Sequence, residues 1–198
     1  MGFRKSKDFN KALLAKLAWM IASNRNSLCM NLLRSKYKVR ENWIQSEPFK
    51  NASPIWKVIE KTKPLIAKGA CYLVGNGASI NVWVDPWIPW LAGFKPTPKD
   101  DSIQRNPLMV SNSISTEDHC WNLPLLNELF NSESVEATQK IHILLRGRAD
   151  KLIWVPDSKE AFSVKSAYKA NHDPPCESST VQWQIWKIKA HDRIKMLL

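Results

Sequence analysis

The chain has 198 residues, enough for one domain or two small ones, and a formal net charge of +11. The excess of positive charge is local. Residues 1–69 contain 15 basic residues (Lys and Arg together) and 4 acidic residues (Asp and Glu together), whereas residues 70–198 contain 14 basic and 14 acidic residues. Such a segment attracts polyanions, most commonly nucleic acid, or it is a basic surface that only keeps the chain soluble. No stretch is long enough to span a bilayer, so we expect no membrane partner.

The cysteines give no sign of a metal or disulfide framework. The four cysteines are widely spaced and form no CxxC pair: Cys29, Cys71, Cys120 and Cys176. This spacing argues against both a zinc ribbon and a secreted disulfide scaffold. His172 and Cys176 are four residues apart, but a zinc site needs three or four ligands. We therefore expect no metal, no cofactor, and a nuclear or cytoplasmic protein rather than a secreted one.

Three helices are predicted in the basic part of the chain. Residues 9–22 have apolar side chains at helical spacing, and a second helix is expected over residues 27–37. The third begins at the N-cap Ser53 followed by Pro54, and Pro64 should kink or shorten it. In the first helix, the side chains expected to face the core are Phe9, Leu13, Leu17, Met20 and Ile21.

A first short β-hairpin is predicted just after the basic segment. Residues 71–74 and 80–84 both alternate in the way that strands do. Between them lie Asn76 and Gly77, which suit a type I′ turn because both central positions of that turn need positive φ.

A second short hairpin is predicted near the end of the chain, where residues 152–155 would pair with residues 161–164. It leads into a helix over residues 165–171. Two short helices are expected before it, over residues 123–130 and 134–141.

These elements predict an α+β chain with a helix-rich N-terminal part, two short β-hairpins and a Pro-rich irregular middle. The domain boundaries are placed where the composition changes. We expect a basic helical segment at 1–69, a hairpin and Trp-rich turn at 70–95, an irregular linker at 96–115, and a small α+β segment at 116–198.

A series of motifs follows the chain in a specific order. They are Phe9-Asn10-Lys11-Ala12-Leu13-Leu14-Ala15-Lys16, Arg34-Ser35-Lys36-Tyr37, Ser53-Pro54-Ile55-Trp56, the block from Val74 to Trp87, and Phe162-Ser163-Val164-Lys165-Ser166-Ala167-Tyr168. In this order they resemble the C-terminal region of plant LINE-type (non-LTR) retrotransposon reverse transcriptases. The last motif is similar to the start of the zinc-binding module of these elements.

The chain departs from this family where the chemistry would lie. The family's polymerase uses adjacent aspartates in an apolar strand to hold two metal ions. Here the adjacent acidic pairs, Asp100-Asp101 and Glu117-Asp118, lie in polar, turn-like surroundings and are expected to be solvated. The resemblance places the zinc ligands beyond residues 185–189, and a ribonuclease H domain further on. We therefore expect a truncated fragment that is not an enzyme and has no metal site.

The leading hypothesis is a retrotransposon-derived fragment that binds RNA or DNA without sequence preference. Trp83 and Trp87 are candidate base-stacking platforms. The side chains expected to contact phosphates are Lys11, Lys16, Arg25, Arg34, Lys36, Lys38 and Arg40.

Two alternatives stay open. The first is a structural scaffold with a protein partner held through exposed Trp, since the chain has 10 Trp residues and Trp is enriched at interface hot spots. The second is a decayed element with no function of its own.

Overall fold

The computed structural model describes residues 6–40, 42–115, 120–143 and 148–172. Within these ranges helices dominate and one two-stranded antiparallel sheet is present, so the predicted α+β class is confirmed. In chain order the elements are α1 (Ser6–Ala22), α2 (Leu28–Lys36), α3 (Pro54–Glu60), α4 (Lys63–Ala67), β1 (Ala70–Leu73), α5 (Leu123–Leu129), α6 (Ser132–Gln139), β2 (Lys151–Trp154) and α7 (Val164–His172).

The helices begin and end close to the positions that local signals predict. The Ser53 hydroxyl accepts a hydrogen bond from the Trp56 backbone N–H, with Pro54 in the first turn of α3. The predicted break at Pro64 is also confirmed, because this proline lies in the first turn of a separate helix, α4.

The buried face of α1 differs from the predicted one. Phe9 and Leu13 are 36% and 42% exposed, whereas the side chains facing the core are Ala12, Ala15, Ala18 and Ile21. Small side chains at this spacing let another helix approach closely, and α7 packs along α1 here with Ala167 fully buried. The prediction is therefore wrong for Phe9 and Leu13, whereas Ile21 is in the core and Leu17 and Met20 pack against it.

The sheet joins parts of the chain that are far apart in sequence. β1 pairs with β2, with Ala70 opposite Trp154 and Leu73 opposite Lys151. The prediction of two separate hairpins is therefore wrong, because each predicted hairpin contributes one strand to a shared sheet.

The second arm of the first predicted hairpin pairs elsewhere. The Val82 N–H donates to the Leu108 carbonyl, and the Val110 N–H donates to the Ile80 carbonyl. Gly77 has a φ of 68° but Asn76 does not have a positive φ, so the turn is not type I′.

In place of the second predicted hairpin, a turn follows β2. The Trp154 N–H donates to the Glu160 carbonyl at 3.1 Å, and the chain then enters α7 without a second strand.

Asp150 fixes the loop between β1 and residue 80. One carboxylate oxygen accepts from the backbone N–H groups of Gly75 and Gly77 at 2.8 and 2.9 Å. The other accepts from the N–H and the hydroxyl of Ser79 at 2.9 and 2.8 Å. A Cβ on Gly75 would meet the Arg148 carbonyl oxygen at 2.1 Å, so the loop can approach this segment only with glycine there.

Two large apolar clusters form most of the core. The first packs α1, α2, α3 and α4 around Trp56 and Trp43, and the second surrounds Trp87 and Phe130. Trp154 lies against α1 and α7. Among the helices that the structure describes, none has the length and apolarity needed to cross a bilayer.

Candidate nucleic-acid interface

Five of the seven cations predicted to contact phosphates are exposed. Lys16 is on α1, Arg25 follows it, and three cations are grouped at the end of α2, where they lie within five consecutive residues: Lys36, Lys38 and Arg40. The exposure of these side chains leaves their charges free to meet an external anion.

Arg34 has a different role from the predicted one. Its guanidinium donates to the carbonyl oxygens of Met20, Ile21 and Arg25, and to the side-chain oxygen of Asn31. The last carbonyls of a helix have no partner within that helix, and Arg34 supplies one at the end of α1. Partial burial lowers the pKa of Arg34. This side chain therefore joins α1 to α2, and its guanidinium is already engaged by acceptors within the fold.

The replacement Arg34→Ala should lower the free energy of unfolding by about 1–3 kcal/mol, because the hydrogen bonds of a charged group that joins α1 to α2 are lost. Arg34→Lys should recover little of this, since an ammonium cannot reproduce the planar fork. Urea denaturation followed by Trp fluorescence measures both. Equal stability of the three proteins would contradict the capping role.

Lys11 and the two candidate stacking residues are engaged within the fold. Lys11 Nζ donates to the Asn171 side chain at 2.7 Å, which links α1 to α7. Trp87 is 0% exposed and its indole N–H donates to the Val82 carbonyl, so it cannot stack on a base in this fold. Trp83 is half-buried and packs edge-on against Phe130.

None of the Trp side chains in the described ranges is exposed. Five are buried, and Trp19, Trp83 and Trp90 are half-buried. The expected protein partner therefore has no exposed Trp to contact in this part of the chain. The exposed apolar side chains are instead aliphatic, with Leu28 86% exposed and Leu32 71% exposed on α2.

The cations after α2 border an aromatic cleft of about 370 Å³. Lys38 and Arg40 line it together with Tyr37, Trp43, Phe49 and Trp56. The Tyr37 and Trp56 rings are stacked with centroids 3.9 Å apart, and Phe49 packs edge-on against Tyr37 at 5.8 Å. A hydrogen bond with the Ser53 hydroxyl lowers the pKa of Tyr37 below its ordinary value.

A buried ion pair holds the Phe49 side of the cleft. Both Glu60 oxygens accept from the Phe49 backbone N–H, at 3.2 and 3.1 Å, and Lys63 Nζ lies 3.3 Å from Glu60 Oε1. Lys63 also lies 4.8 Å from the centroid of the Trp43 ring. Glu60 and Lys63 were not predicted from the sequence, although a Glu and a Lys three residues apart within the predicted third helix were a usable signal.

Lys38 has an unusual backbone conformation for its residue type. Its φ is 46°, and it is the residue after the C-cap of α2, where the Val39 N–H donates to the Arg34 carbonyl and the Lys38 N–H donates to the Ser35 carbonyl. This is the Schellman arrangement, in which glycine is usual. A residue with a Cβ costs about 1–2 kcal/mol there.

Within the described ranges, acidic and metal-ligating side chains do not cluster into a site that could hold a metal ion. Asp100 and Asp101 are exposed, and the Asp100 carboxylate accepts from the N–H and hydroxyl of Ser102, which lowers its pKa. The described residues contain no group of three His, Cys, Asp or Glu side chains placed to hold a metal ion. Glu117-Asp118 and Cys176 lie outside the described residues.

The chain is similar to proteins of Arabidopsis thaliana. It is 26% identical over 213 aligned positions to "Putative ribonuclease H protein At1g65750", in a match that covers 100% of this chain and 33% of that protein. It is 33% identical over 88 positions to "Uncharacterized mitochondrial protein AtMg00310", covering 44% of this chain and 57% of that protein. The chain therefore spans about a third of the length of the first relative. No protein-family model and no solved structure matches it.

Proposed function

We propose that this chain is a retrotransposon-derived, non-catalytic fragment that binds nucleic acid, chiefly RNA, without sequence preference. The observation that carries the proposal is the group of exposed cations at the end of α2, Lys36, Lys38 and Arg40, beside an aromatic cleft. Cations near aromatic rings are the usual composition of surfaces that bind single strands. The ion pair between Lys63 and Glu60 and the contact between His172 and Asp8 do not involve these three cations.

The origin rests on a likeness to plant proteins. One relative is named a ribonuclease H protein, an activity that acts on nucleic acid, and its match extends over the whole chain. The order of motifs further supports a LINE-type element and the start of a zinc-binding module.

A salt titration with matched variants tests the binding. Labelled RNA should bind the full chain at low salt, and its affinity should fall linearly on a log–log plot by about 0.7–0.9 units for each neutralised phosphate. The triple variant Lys36→Gln, Lys38→Gln, Arg40→Gln should reduce that slope by about 2.

The control removes the same charge elsewhere. Lys57, Lys61 and Lys68 are exposed on or next to α3 and α4, and their replacement by Gln should change the slope much less. Equal losses in the two triple variants would show that only net charge matters. An absence of binding at low salt would reject the proposal.

A protein scaffold is the second candidate, and α2 favours it. Leu28 and Leu32 are four residues apart on one helix face and are 86% and 71% exposed, while Ile55 on α3 is 71% exposed. Light scattering and a pull-down from plant extract would separate the two functions, because nucleic-acid binding requires neither self-association nor a protein partner.

A further inference from the structure

The aromatic cleft differs from the rest of the core in its hydrogen bonding. The indole N–H groups of the fully or largely buried Trp87, Trp121 and Trp154 donate to Val82, Ile141 and Ser166 respectively. Those of Trp43 and Trp56, which line the cleft, are buried and have no acceptor among the described residues.

Phe49 is the exposed ring of the cleft. It is 43% exposed, whereas Tyr37, Trp43 and Trp56 are between 2% and 7% exposed. The two hydrogen bonds from its backbone N–H to Glu60, together with its edge-on contact with Tyr37, fix its position. A fixed aromatic ring with an exposed surface can stack on an unpaired base.

The charge around the cleft favours a phosphate backbone. Lys38 and Arg40 line it, and Lys36 Nζ lies 5.5 Å from the centroid of the Tyr37 ring. The carboxylates on the lining are Glu47, which is exposed, and Glu60, which is paired with Lys63. Lys38 contributes its charge from a strained left-handed backbone position at which glycine would be more stable. The cleft is thus lined by aromatic side chains and bordered by cations.

We infer that this cleft selects single-stranded over double-stranded nucleic acid, with one unstacked base on Phe49 and the adjacent phosphates on Lys38 and Arg40. The inference rests on the proposed function and adds the substrate class. A base within a duplex is already stacked on both faces and cannot reach Phe49, so a duplex would use the cations alone.

Anisotropy titrations of a labelled 12-nucleotide RNA, alone and annealed to its complement, test the selection on the full chain at low salt. The single strand should bind several-fold more tightly than the duplex. The variant Phe49→Leu should weaken single-strand binding about tenfold, because a stacked base is lost. It should leave duplex binding unchanged, and an unchanged circular dichroism spectrum shows that the variant is folded.

A second pair of variants tests Lys38. Lys38→Gly should raise Tm by about 2 °C, because the backbone strain is relieved, while it weakens binding to both RNAs and reduces the salt slope by about 0.7–0.9. The matched control is Asn24→Gly, since Asn24 has a φ of 51° and is the corresponding residue after α1 but carries no charge. Its binding should equal that of the parent chain.

The outcomes separate the two proposals. Equal affinity for single strand and duplex, with no effect of Phe49→Leu, would overturn the cleft inference while leaving nucleic-acid binding in place. Failure of both RNAs to bind would overturn both.

Discussion

The replacement Asp150→Ala should lower the free energy of unfolding by about 3 kcal/mol. The Asp150 carboxylate accepts four hydrogen bonds from the loop that contains Gly75, Gly77 and Ser79, and three of the donors are backbone N–H groups. Hydrogen bonds to a charged group contribute about 1.5–3 kcal/mol each when buried, and less here because part of this site is exposed. Urea denaturation monitored by circular dichroism gives the difference.

Two further variants locate the effect. Asp150→Asn keeps one acceptor oxygen and should lose about half as much stability. Asp101→Ala removes an exposed carboxylate from a turn and should change stability by less than about 0.5 kcal/mol. If Asp150→Ala were as stable as the parent chain, the loop would be held by something other than this carboxylate.

Trp87→Ala should lower the free energy of unfolding by about 3–5 kcal/mol, the range for truncating a large buried aromatic side chain. Trp87 is 0% exposed, and its neighbours include Trp121 and Phe130 with ring centroids at 5.8 and 6.5 Å. The truncation also leaves the Val82 carbonyl without its indole donor. Guanidinium denaturation followed by circular dichroism measures the loss.

Trp83→Ala is the matched control, because Trp83 is half-buried and the sequence predicts the same base-stacking role for it as for Trp87. It should cost clearly less than Trp87→Ala. A Trp87→Ala protein of unchanged stability but weaker RNA binding would restore the stacking role that burial of this side chain argues against.

The helices and the cations after α2 were predictable, because their signals are local. Ser53 and Pro54 cap and begin α3 through atoms within four residues, and Lys38 and Arg40 are exposed as their charge suggests. The structural role of Arg34 was not predicted, because nothing in a single sequence shows that its guanidinium lies over the carbonyls at the end of α1. The sequence shows which residues are charged, but it does not show which of these side chains are hydrogen-bonded within the fold.

The strand pairing was not predictable from the local pattern. Asn76 and Gly77 favour a tight hairpin, but the loop instead folds around Asp150, more than seventy residues away in sequence. The competing interaction lies outside any local window, and the same holds for the contact of residues 80–82 with residues 108–110.

The packing of α7 on the Ala face of α1 has a consequence for biosynthesis. Ala12 remains uncovered until the ribosome has synthesised most of the chain, because it packs with Trp154 and with Ala167, which belongs to the last described helix. Contacts between such distant segments slow folding. The basic helices should therefore reach their final packing only after translation has passed α7, and a nascent chain arrested earlier would present that face to chaperones.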